Sequence, residues 1–351
     1  MIAKVGLDQG KGFLKMSLSV YDPENLLDNS RYKNSGPFKT MLIAVANCQE
    51  NYTNCKKFFD ETSCHEILHH FACDLKISNI CTGLTPHSAS FCCPYCEGNK
   101  GEWSRSSRLR NFSSILRHFE GFIENGGIRS KAKFHYGAIN RPLFQGNWEG
   151  EDLVLIVLPP PLLHLRLGIV NKLMDVLYQV DDQLEPLVEK VLHVSRTDYH
   201  GNAYEGNATM KLMKNVDMLT TLIQPPKLAS CFPILACLQE FQNVYEACFL
   251  EDPHPNYWSV IAKFENCYLD FCKIFCGGRH WSTKAHIVIS HIGQYIDRTG
   301  KTPCKFQEQV VEQTHAEFDR LWKSSYKTNE GADNYAERLL NCVQHYNSYR
   351  I

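Results

Sequence analysis

The sequence has no excess of either charge. Its 37 Lys and Arg residues are balanced by 38 Asp and Glu residues, which leaves a formal net charge of -1 over 351 residues. A domain that binds nucleic acid through its overall field is usually basic. The composition therefore excludes a global electrostatic attraction to nucleic acid, and any such contact must be local or supplied elsewhere.

The sequence also lacks a long apolar run. The longest, residues 153–158, ends at three consecutive prolines and is far shorter than the roughly 20 residues that cross a bilayer. Residues 1–7 are too short for the hydrophobic segment of an export signal. We therefore expect a soluble chain that contacts no membrane, and we expect its 16 cysteines to be reduced thiols rather than a disulfide scaffold.

The first part of the chain has the pattern of strands. Two alternating or apolar runs, 3–7 and 13–20, flank a Gly-containing turn, which predicts a β-hairpin with Asp8 at the end of its first strand. The continuous apolar run 41–46 predicts a third, buried strand. The polar segment 21–38 between these strands is predicted to be a loop or a hairpin.

Helical patterns follow. Asp74 lies where the run 69–73 meets apolar residues with helical spacing, so we place it between a strand and a helix that Gly83 ends. The middle of the chain is predicted to be mainly helical. The further helical segments are residues 105–119, 162–180, 230–249 and 306–322.

The most specific local pattern is a CxxC pair, Cys93 and Cys96, combined with His286 and His291 far downstream. Two thiolates and two imidazoles satisfy tetrahedral zinc. The histidines are five residues apart, one more than a pair that shares a face of an α-helix, so we expect the second where a helix begins or bends. Spacing alone leaves open that the cysteines are core residues and the histidines are solvated.

Two acidic residues, Asp8 and Asp74, differ from the others because each follows an apolar strand. An ionised carboxylate at such a place is costly unless it is paired, hydrogen-bonded or bound to a cation. Several converging carboxylates favour a divalent metal site, in which two Mg²⁺ ions about 4 Å apart act on the attacking and leaving oxygens of a phosphodiester. Glu312, on the last predicted helix, would supply the third carboxylate.

Taken together, these residues resemble one family, the DDE catalytic core of Transib-type transposases and of the related recombinase of V(D)J recombination. The matching segments, in order along almost the whole chain, are Asp8-Gln9-Gly10, Asp74 with Cys93 and Cys96, and residues 164–168, 282–291 and 307–318. The spacings also agree, since Cys93 follows Asp74 by 19 positions and Glu312 follows His291 by 21.

The resemblance implies a role for each residue. Three carboxylates would be catalytic and hold two Mg²⁺ or Mn²⁺ ions: Asp8, Asp74 and Glu312. A structural Zn²⁺ would be held by Cys93, Cys96, His286 and His291. Glu308, one helical turn before Glu312, is the rival for the third carboxylate. His164 and residues 200–207 also lie at family positions, where they would brace the helical insertion or touch DNA.

The fold that the resemblance implies is α/β, an RNase H-like mixed sheet flanked by helices and interrupted by a large, mainly helical insertion with the zinc site. Residues 1–92 would form the first part of the core, residues 93–285 the insertion, and residues 286–351 the histidine pair and the C-terminal helix with the catalytic glutamate. Zinc would secure the two ends of the insertion, whose closure is entropically costly.

The function implied is metal-dependent DNA cleavage and strand transfer. Water would attack a phosphodiester, and the freed 3′-hydroxyl would then attack a second one. DNA is the expected partner, a nuclear location follows from that substrate, and a homodimer is a further expectation. Because the chain begins seven residues before Asp8, we expect the DNA-recognition region of such transposases to be missing.

Two alternatives stay open. The chain could be a domesticated, catalytically inactive derivative that binds DNA or a protein, with which Gln9 in place of the more usual Gly is compatible. It could also be an unrelated zinc-stabilised helical interaction protein whose carboxylates are scattered. Four arginines are candidates for phosphate contacts, with a solvated helix face as the competing interpretation. They are Arg105, Arg108, Arg110 and Arg117.

Overall fold

The structure is a computed structural model that describes residues 2–10, 12–21, 40–63, 70–103, 105, 107–144, 153–197, 201–278, 282–306, 309–348 and 350. Most of the predicted loop 21–38 lies outside these residues, as do His200 and Glu308. The chain divides into two compact units. The first comprises Met1–Asn99, Ser107–Pro161 and Lys305–Ile351, and the second comprises Lys100–Ser106 and Leu162–Cys304.

The first unit contains a four-stranded mixed sheet. Its strands are β1 (Ile2–Gly10), β2 (Phe13–Tyr21), β3 (Thr40–Asn47) and β4 (His70–Ala72), in the order β3-β2-β1-β4. β1 and β2 form an antiparallel hairpin, β3 pairs antiparallel with β2, and β4 runs parallel to β1 with Ala72 opposite Gly6. The predicted hairpin and the place of the third strand are thus confirmed. The expectation that this strand is buried on both faces is wrong, because β3 lies at the edge of the described sheet and most of its residues are half-buried.

Helices of the first unit flank this sheet. They are α1 (Tyr52–Thr62), α2 (Leu75–Thr82), α3 (Phe112–Glu124), the short α4 (Val154–Val157), α13 (Gln309–Leu321) and α14 (Tyr335–Ser348), with a 3-10 helix at Arg129–His135. The architecture is therefore α/β, as expected. Gly83 ends α2 in the left-handed region at φ 75°, which glycine adopts at little steric cost.

The helix predicted for residues 105–119 is wrong at its start, because α3 begins only at Phe112. The backbone N–H of Arg110 donates to Tyr95 O, and that of Glu97 donates to Arg108 O, each over 2.9 Å. Through these bonds the residues just before α3 run as an extended segment that pairs with the segment of the CxxC motif. Asn111 then caps α3 by accepting a hydrogen bond from Ser114 N.

The C-terminal helices pack against the sheet. Phe13 of β2 meets Phe318 of α13 and Trp322 edge to face, with ring centroids 5.8 and 5.6 Å apart. Asn347 of α14 both accepts from the N–H and donates to the O of Leu42, each over 2.9 Å. These bonds satisfy the backbone N–H and O of Leu42, on the edge formed by β3. The final predicted helix is confirmed, with bounds 309–321.

The second unit is helical over the described residues. Its helices are α5 (Leu162–Val180), α6 (Leu184–Leu192), α7 (Gly206–Lys214), α8 (Val216–Leu222), α9 (Leu228–Cys248), α10 (Tyr257–Phe275), α11 (Thr283–His286) and α12 (Gly293–Thr299). A π-helix, Ile287–Ile292, joins the last two. The helices predicted for 162–180 and 230–249 are confirmed as α5 and α9, within two residues.

Hydrophobic burial holds the second unit together. Leu173 and Leu177 of α5, and Leu238 and Phe241 of α9, are fully buried, and each such side chain contributes about 1.5–3 kcal/mol through removal from water. Among the described residues no single helix is long and apolar enough to cross a membrane. Only as a pair, bent by 117°, do Val216–Leu222 and Pro225–Cys248 reach the required length and composition.

Candidate metal centres

The CxxC cysteines, Cys93 and Cys96, lie on a buried turn of the first unit. Arg110, which is fully buried, donates from Nε to the carbonyl oxygens of Cys93 and Cys96 over 3.0 and 2.7 Å, and from Nη2 to Tyr136 O over 2.8 Å. The guanidinium therefore holds the turn in shape and places a positive charge beside both sulfurs. Such a charge favours the thiolate, which is the form that binds metal.

The suggestion that Arg110 holds phosphate is consequently wrong, because the side chain is fully buried and its Nε and Nη2 donate to backbone carbonyls. Burial raises the pKa of the Cys93 thiol well above its usual range. A thiolate at this depth is therefore favoured only with further positive charge close by. A bound metal ion would supply that charge.

The two histidines lie in the second unit, where the helix widens. Ser282 caps α11 by accepting from Ala285 N over 3.2 Å, and the helix continues as the π-helix Ile287–Ile292. A π-helix repeats its hydrogen bonds at i, i+5, so it brings His286 and His291 to one side. Their Nε2 atoms lie 3.1 Å apart. The wider turn is the physical reason for the five-residue spacing.

Hydrogen bonds around His291 fix its tautomer. Nδ1 lies 2.7 Å from the Oε1 atom of Gln294, whose Nε2 donates to Arg105 O over 2.9 Å. Because that second bond identifies Oε1 as the acceptor, Nδ1 of His291 carries the proton and Nε2 keeps a lone pair. His286 stacks on Trp103 at a centroid distance of 4.2 Å, which orients its ring.

One ligand atom from each of four buried side chains lies within 4.8 Å of the others. They are the atoms of Cys93, Cys96, His286 and His291. Tetrahedral zinc with its usual bond lengths places two nitrogens about 3.3 Å apart and two sulfurs about 3.8 Å apart. The observed separation of the two Nε2 atoms, 3.1 Å, fits this geometry. The group could therefore hold a metal ion such as zinc.

The aspartates lie at one end of two neighbouring strands. β1 and β4 are parallel with Gly6 opposite Ala72, and Asp8 and Asp74 each follow these partners by two residues. Asp74 stands between β4 and α2 as predicted, and its Oδ1 accepts from Ile77 N over 2.7 Å. It therefore also caps α2, which is a structural role independent of any metal.

A chain of polar contacts connects Asp8 to the interior. His315 of α13 lies with Nε2 3.0 Å from Asp8 Oδ2, outside hydrogen-bond geometry. Lys15, which is 1% exposed, donates to His315 Nδ1 and Asp319 Oδ1 over 3.0 Å each, and to Gly10 O over 3.2 Å. An ammonium group only donates, so Nδ1 of His315 is the acceptor of this hydrogen bond.

The third proposed acid, Glu312, lies in α13, three residues before His315. Residues three apart in a helix share a face, so position 312 belongs to the side of α13 that approaches the end of β1. The side chain of Glu312 and the whole of Glu308 lie outside the described residues. Whether Glu312 or Glu308 completes the acidic group therefore stays a prediction.

A further acidic residue, Glu50, was not singled out from the sequence, although Asp74 and Asp8 both act on it electrostatically. Burial first, and then the charges of Asp74 and Asp8, raise the pKa of Glu50 from 4.5 to about 7, although Lys76 lowers it. Lys76 Nζ lies 3.2 Å from Glu50 Oε2. The signal was available, since Glu50 follows the apolar strand β3, and Asp8 and Asp74 likewise lie at the ends of β1 and β4.

The remaining arginines have protein contacts or are exposed. Arg105 forms an ion pair with Glu265 and lies 5.2 Å from the ring of Trp258. Arg108, whose side chain is mostly exposed, lies 3.8 Å from Glu97, and Arg117 is exposed on α3. Contact with phosphate stays open for the latter two.

Part of the segment 200–207 braces the helical unit, one of its two suggested roles. The backbone N–H of Tyr204 donates to Asn171 Oδ1 over 2.7 Å, and Asn171 Nδ2 donates to Tyr204 O over 3.0 Å. The hydroxyls of Tyr204 and Tyr178 are 2.7 Å apart. Both partners belong to α5, the helix that also carries the half-buried His164.

Comparison with known proteins identifies no family. No protein-family model matches the chain, and no curated protein matches it. The resemblance to DDE transposases therefore rests on the residues quoted above, and membership of that family stays a prediction.

Proposed function

We propose that this chain is a DDE transposase-like catalytic core that cleaves and transfers DNA strands with divalent metal ions. The observation that carries the proposal is the placement of Asp8 and Asp74 at the same end of adjacent parallel strands, with α13 beside them. A mixed sheet flanked by helices is compatible with an RNase H-like core. The helical second unit overlaps the proposed insertion over residues 162–285.

In this proposal Asp8, Asp74 and Glu312 hold two Mg²⁺ or Mn²⁺ ions. When bound, the ions activate the attacking oxygen and neutralise the leaving oxygen of the phosphodiester. Lys15 contacts Nδ1 of His315 over 3.0 Å, and Nε2 of the same ring lies 3.0 Å from Asp8 Oδ2. The contribution of the protein is thus to hold the carboxylates in place.

The Cys93, Cys96, His286 and His291 group has a structural role in this proposal. Four protein ligands fill a tetrahedral shell and leave no open position for a substrate. The chemistry of the donors also separates the two sites, because thiolate and imidazole suit Zn²⁺ whereas carboxylates suit Mg²⁺ and Mn²⁺. A single chain can therefore sort the two kinds of metal without competition.

A nicking assay tests the proposed function. The full chain is incubated with Mn²⁺ and supercoiled plasmid, because nicking of a plasmid needs no specific target sequence. We expect nicking that Asp8→Asn and Asp74→Asn each reduce by at least about 10³-fold. Asp60→Asn, at an exposed position of α1, is the matched control and should nick normally. Nicking that survives in Asp8→Asn would contradict the proposal.

The same assay decides between the two glutamates. Glu312→Gln should abolish nicking, and Glu308→Gln should retain it, if the match in register is right. The reverse result would identify Glu308 as the third catalytic carboxylate, and the proposed reaction would stay the same.

A second function is favoured by one observation. Within the described residues, the cysteines and histidines form a group whose ligand atoms lie close together, and the carboxylates form no comparable group. This supports the alternative of a zinc-stabilised, catalytically inactive derivative that binds DNA or a protein. Binding of plasmid without nicking at any Mn²⁺ concentration, unchanged in Asp8→Asn, would favour it.

A further inference from the structure

We propose that an exposed basic segment, residues 128–134, binds a strand of DNA whose bases are unpaired, through its cations and one aromatic ring. The segment comprises most of the 3-10 helix Arg129–His135 and lies in the first unit. The choice of DNA over RNA rests on the proposed function, whereas the surface itself does not. The inference goes beyond that function because binding here needs neither the aspartates nor a divalent metal.

The basic segment carries only positive charge, in a chain whose net charge is -1. Its cations are Arg129, Lys131 and Lys133, which are all exposed, and no Asp or Glu occurs between Glu124 and Glu149. Within the described part of the chain, none of the three cations forms an ion pair. Solvated cations that no carboxylate neutralises attract a polyanion. The composition allows only a local contact with nucleic acid, and this segment provides one.

The basic segment also presents an aromatic ring to solvent. Phe134 is 70% exposed, more than any other large hydrophobic side chain among the described residues, and Lys133 Nζ lies 5.1 Å from the centre of its ring. Single-stranded nucleic acid binds such an arrangement, because unpaired bases stack on the ring while cations contact the phosphates. Helices that bind a lipid surface present a continuous apolar face, whereas cations separate Ile128 from Phe134 here.

The interior of the first unit holds the basic segment in shape. Ala132, in the middle of the segment, is buried, and its carbonyl oxygen accepts from Gly137 N over 2.9 Å. Tyr136 ends the 3-10 helix at φ 50°, a left-handed conformation that is unusual for a bulky residue. Arg110 donates to Tyr136 O over 2.8 Å and so fixes this conformation. A surface that is ordered before binding loses little conformational entropy on binding.

The chain that follows the basic segment meets α2 at its C-terminal end, whereas Asp74 caps the N-terminal end of that helix. Ala138 forms a bridge with Leu84, and Ile139 N donates to Gly83 O over 2.9 Å. α2 has 8 residues, and at about 1.5 Å per residue roughly 12 Å of helix separates the two places. A strand bound here would therefore be held outside the acidic end of the sheet.

Fluorescence anisotropy tests the inference, with the full chain and a labelled oligothymidine of about 16 nucleotides in buffer without added divalent metal. Phe134→Leu keeps an apolar side chain but removes the ring, and Phe134→Tyr restores a ring. Phe232→Leu, at a phenylalanine of α9 that is 65% exposed, is the matched control. Lys131→Gln tests the charge, and Lys211→Gln, at an exposed lysine of α7, is its control.

We expect Phe134→Leu to weaken binding by about tenfold, because a stacked base is lost. Phe134→Tyr and Phe232→Leu should bind as the unmodified chain does. Lys131→Gln should reduce the slope of log affinity against log salt concentration by about 0.7, the value for one phosphate of a single strand, and Lys211→Gln should not.

Binding that Phe134→Leu leaves intact would overturn the inference without affecting the nicking test of the proposed function. Binding of phosphatidylserine vesicles in place of oligothymidine would assign the surface to a membrane, and tighter binding of oligouridine would assign it to RNA. Either result would overturn the inference. If the chain binds oligothymidine through Phe134 but nicks no plasmid, the inference stands and the proposed function fails.

Discussion

Two regions of the molecule gather groups that are costly to bury: the cysteine and histidine centre, and the acidic end of the sheet. The two regions differ in how this cost is offset. At the first centre, four ligand atoms lie within 4.8 Å of one another, and Gln294 and Trp103 fix the rings. At the acidic end, positive charge comes from the protein itself, since Lys76 contacts Glu50 and Lys15 contacts His315 and Asp319.

This difference indicates two kinds of metal site. Ligands that are already assembled and oriented suit an ion that stays bound, since little rearrangement is needed to close the shell. Carboxylates that have a lysine ammonium group close by can gain and lose a cation without leaving their whole charge uncompensated. The comparison predicts that zinc removal destabilises the chain, whereas removal of Mg²⁺ or Mn²⁺ leaves it folded.

The largest expected effect is the loss of zinc. Cys93→Ser should reduce the zinc content from one ion per chain to none and lower the free energy of unfolding by several kcal/mol, because structural zinc contributes on the order of 10 kcal/mol in small domains. Metal analysis and urea unfolding measure both. Cys92→Ser, at the buried neighbour outside the ligand group, should keep its zinc. If Cys93→Ser also keeps zinc, this centre is not the metal site.

A smaller effect tests the internal charge at the acidic end. Lys15→Met leaves Asp319 buried without its ammonium partner and should lower the free energy of unfolding by about 3–5 kcal/mol. The exposed pair of Lys56 and Asp60 is the control, and Lys56→Met should cost less than about 1 kcal/mol. If both variants lose the same free energy of unfolding in urea, the buried contacts of Lys15 contribute no more to stability than the exposed ion pair does.

The pH dependence of stability isolates Glu50. Its pKa in the folded chain is raised from 4.5 to about 7, so between these values the folded chain binds more protons than the unfolded one. The free energy of unfolding therefore falls as pH rises through this interval. Glu50→Gln should remove that fall and stabilise the metal-free chain above pH 7 by on the order of 2 kcal/mol.

Chemical unfolding at several pH values, with and without Mn²⁺, measures this effect. The groups that act on Glu50 are Asp74, Asp8 and Lys76, and all three are unchanged in the variant. If the free energy of unfolding depends on pH in the same way for both chains, folding does not raise the pKa of Glu50.

The smallest effect concerns the orientation of His291. Gln294→Leu removes the acceptor for Nδ1 and should weaken zinc affinity by about tenfold, the lower end of what such supporting residues contribute. Competition with a chromogenic chelator measures the affinity. Gln239→Leu, at an exposed position of α9, should leave it unchanged. Unchanged affinity in Gln294→Leu would mean that the packing of the ring, rather than its hydrogen bond, orients the ligand.

Local patterns made several elements predictable. Alternation and a Gly-containing turn identify the β-hairpin, because strand period and turn chemistry are encoded within a few residues. The same reasoning places Asp8 and Asp74 at strand ends. Chemical type was sufficient to select Cys93 and Cys96 with His286 and His291, since few other functions use two thiols and two imidazoles.

Other features depended on the tertiary structure. The contact between Lys15 and His315 joins residues 300 positions apart, and no periodicity within a helix or strand encodes such a pair. Arg110 has the spacing of a surface arginine but lies buried against carbonyls, because the extended segment before α3 is paired with the CxxC turn. A local pattern cannot distinguish these states, since only packing decides which polar groups lose water.

The sequence by itself determined the kinds of ligand, the strand ends that carry Asp8 and Asp74, and the α/β class, because all of these follow from residue type and short-range spacing. The tertiary structure alone decided that a π-helix aligns His286 with His291 and that Glu50 joins the acidic end of the sheet. The physical reason is that burial and electrostatic fields depend on groups brought together by folding, which the order of residues along the chain does not display.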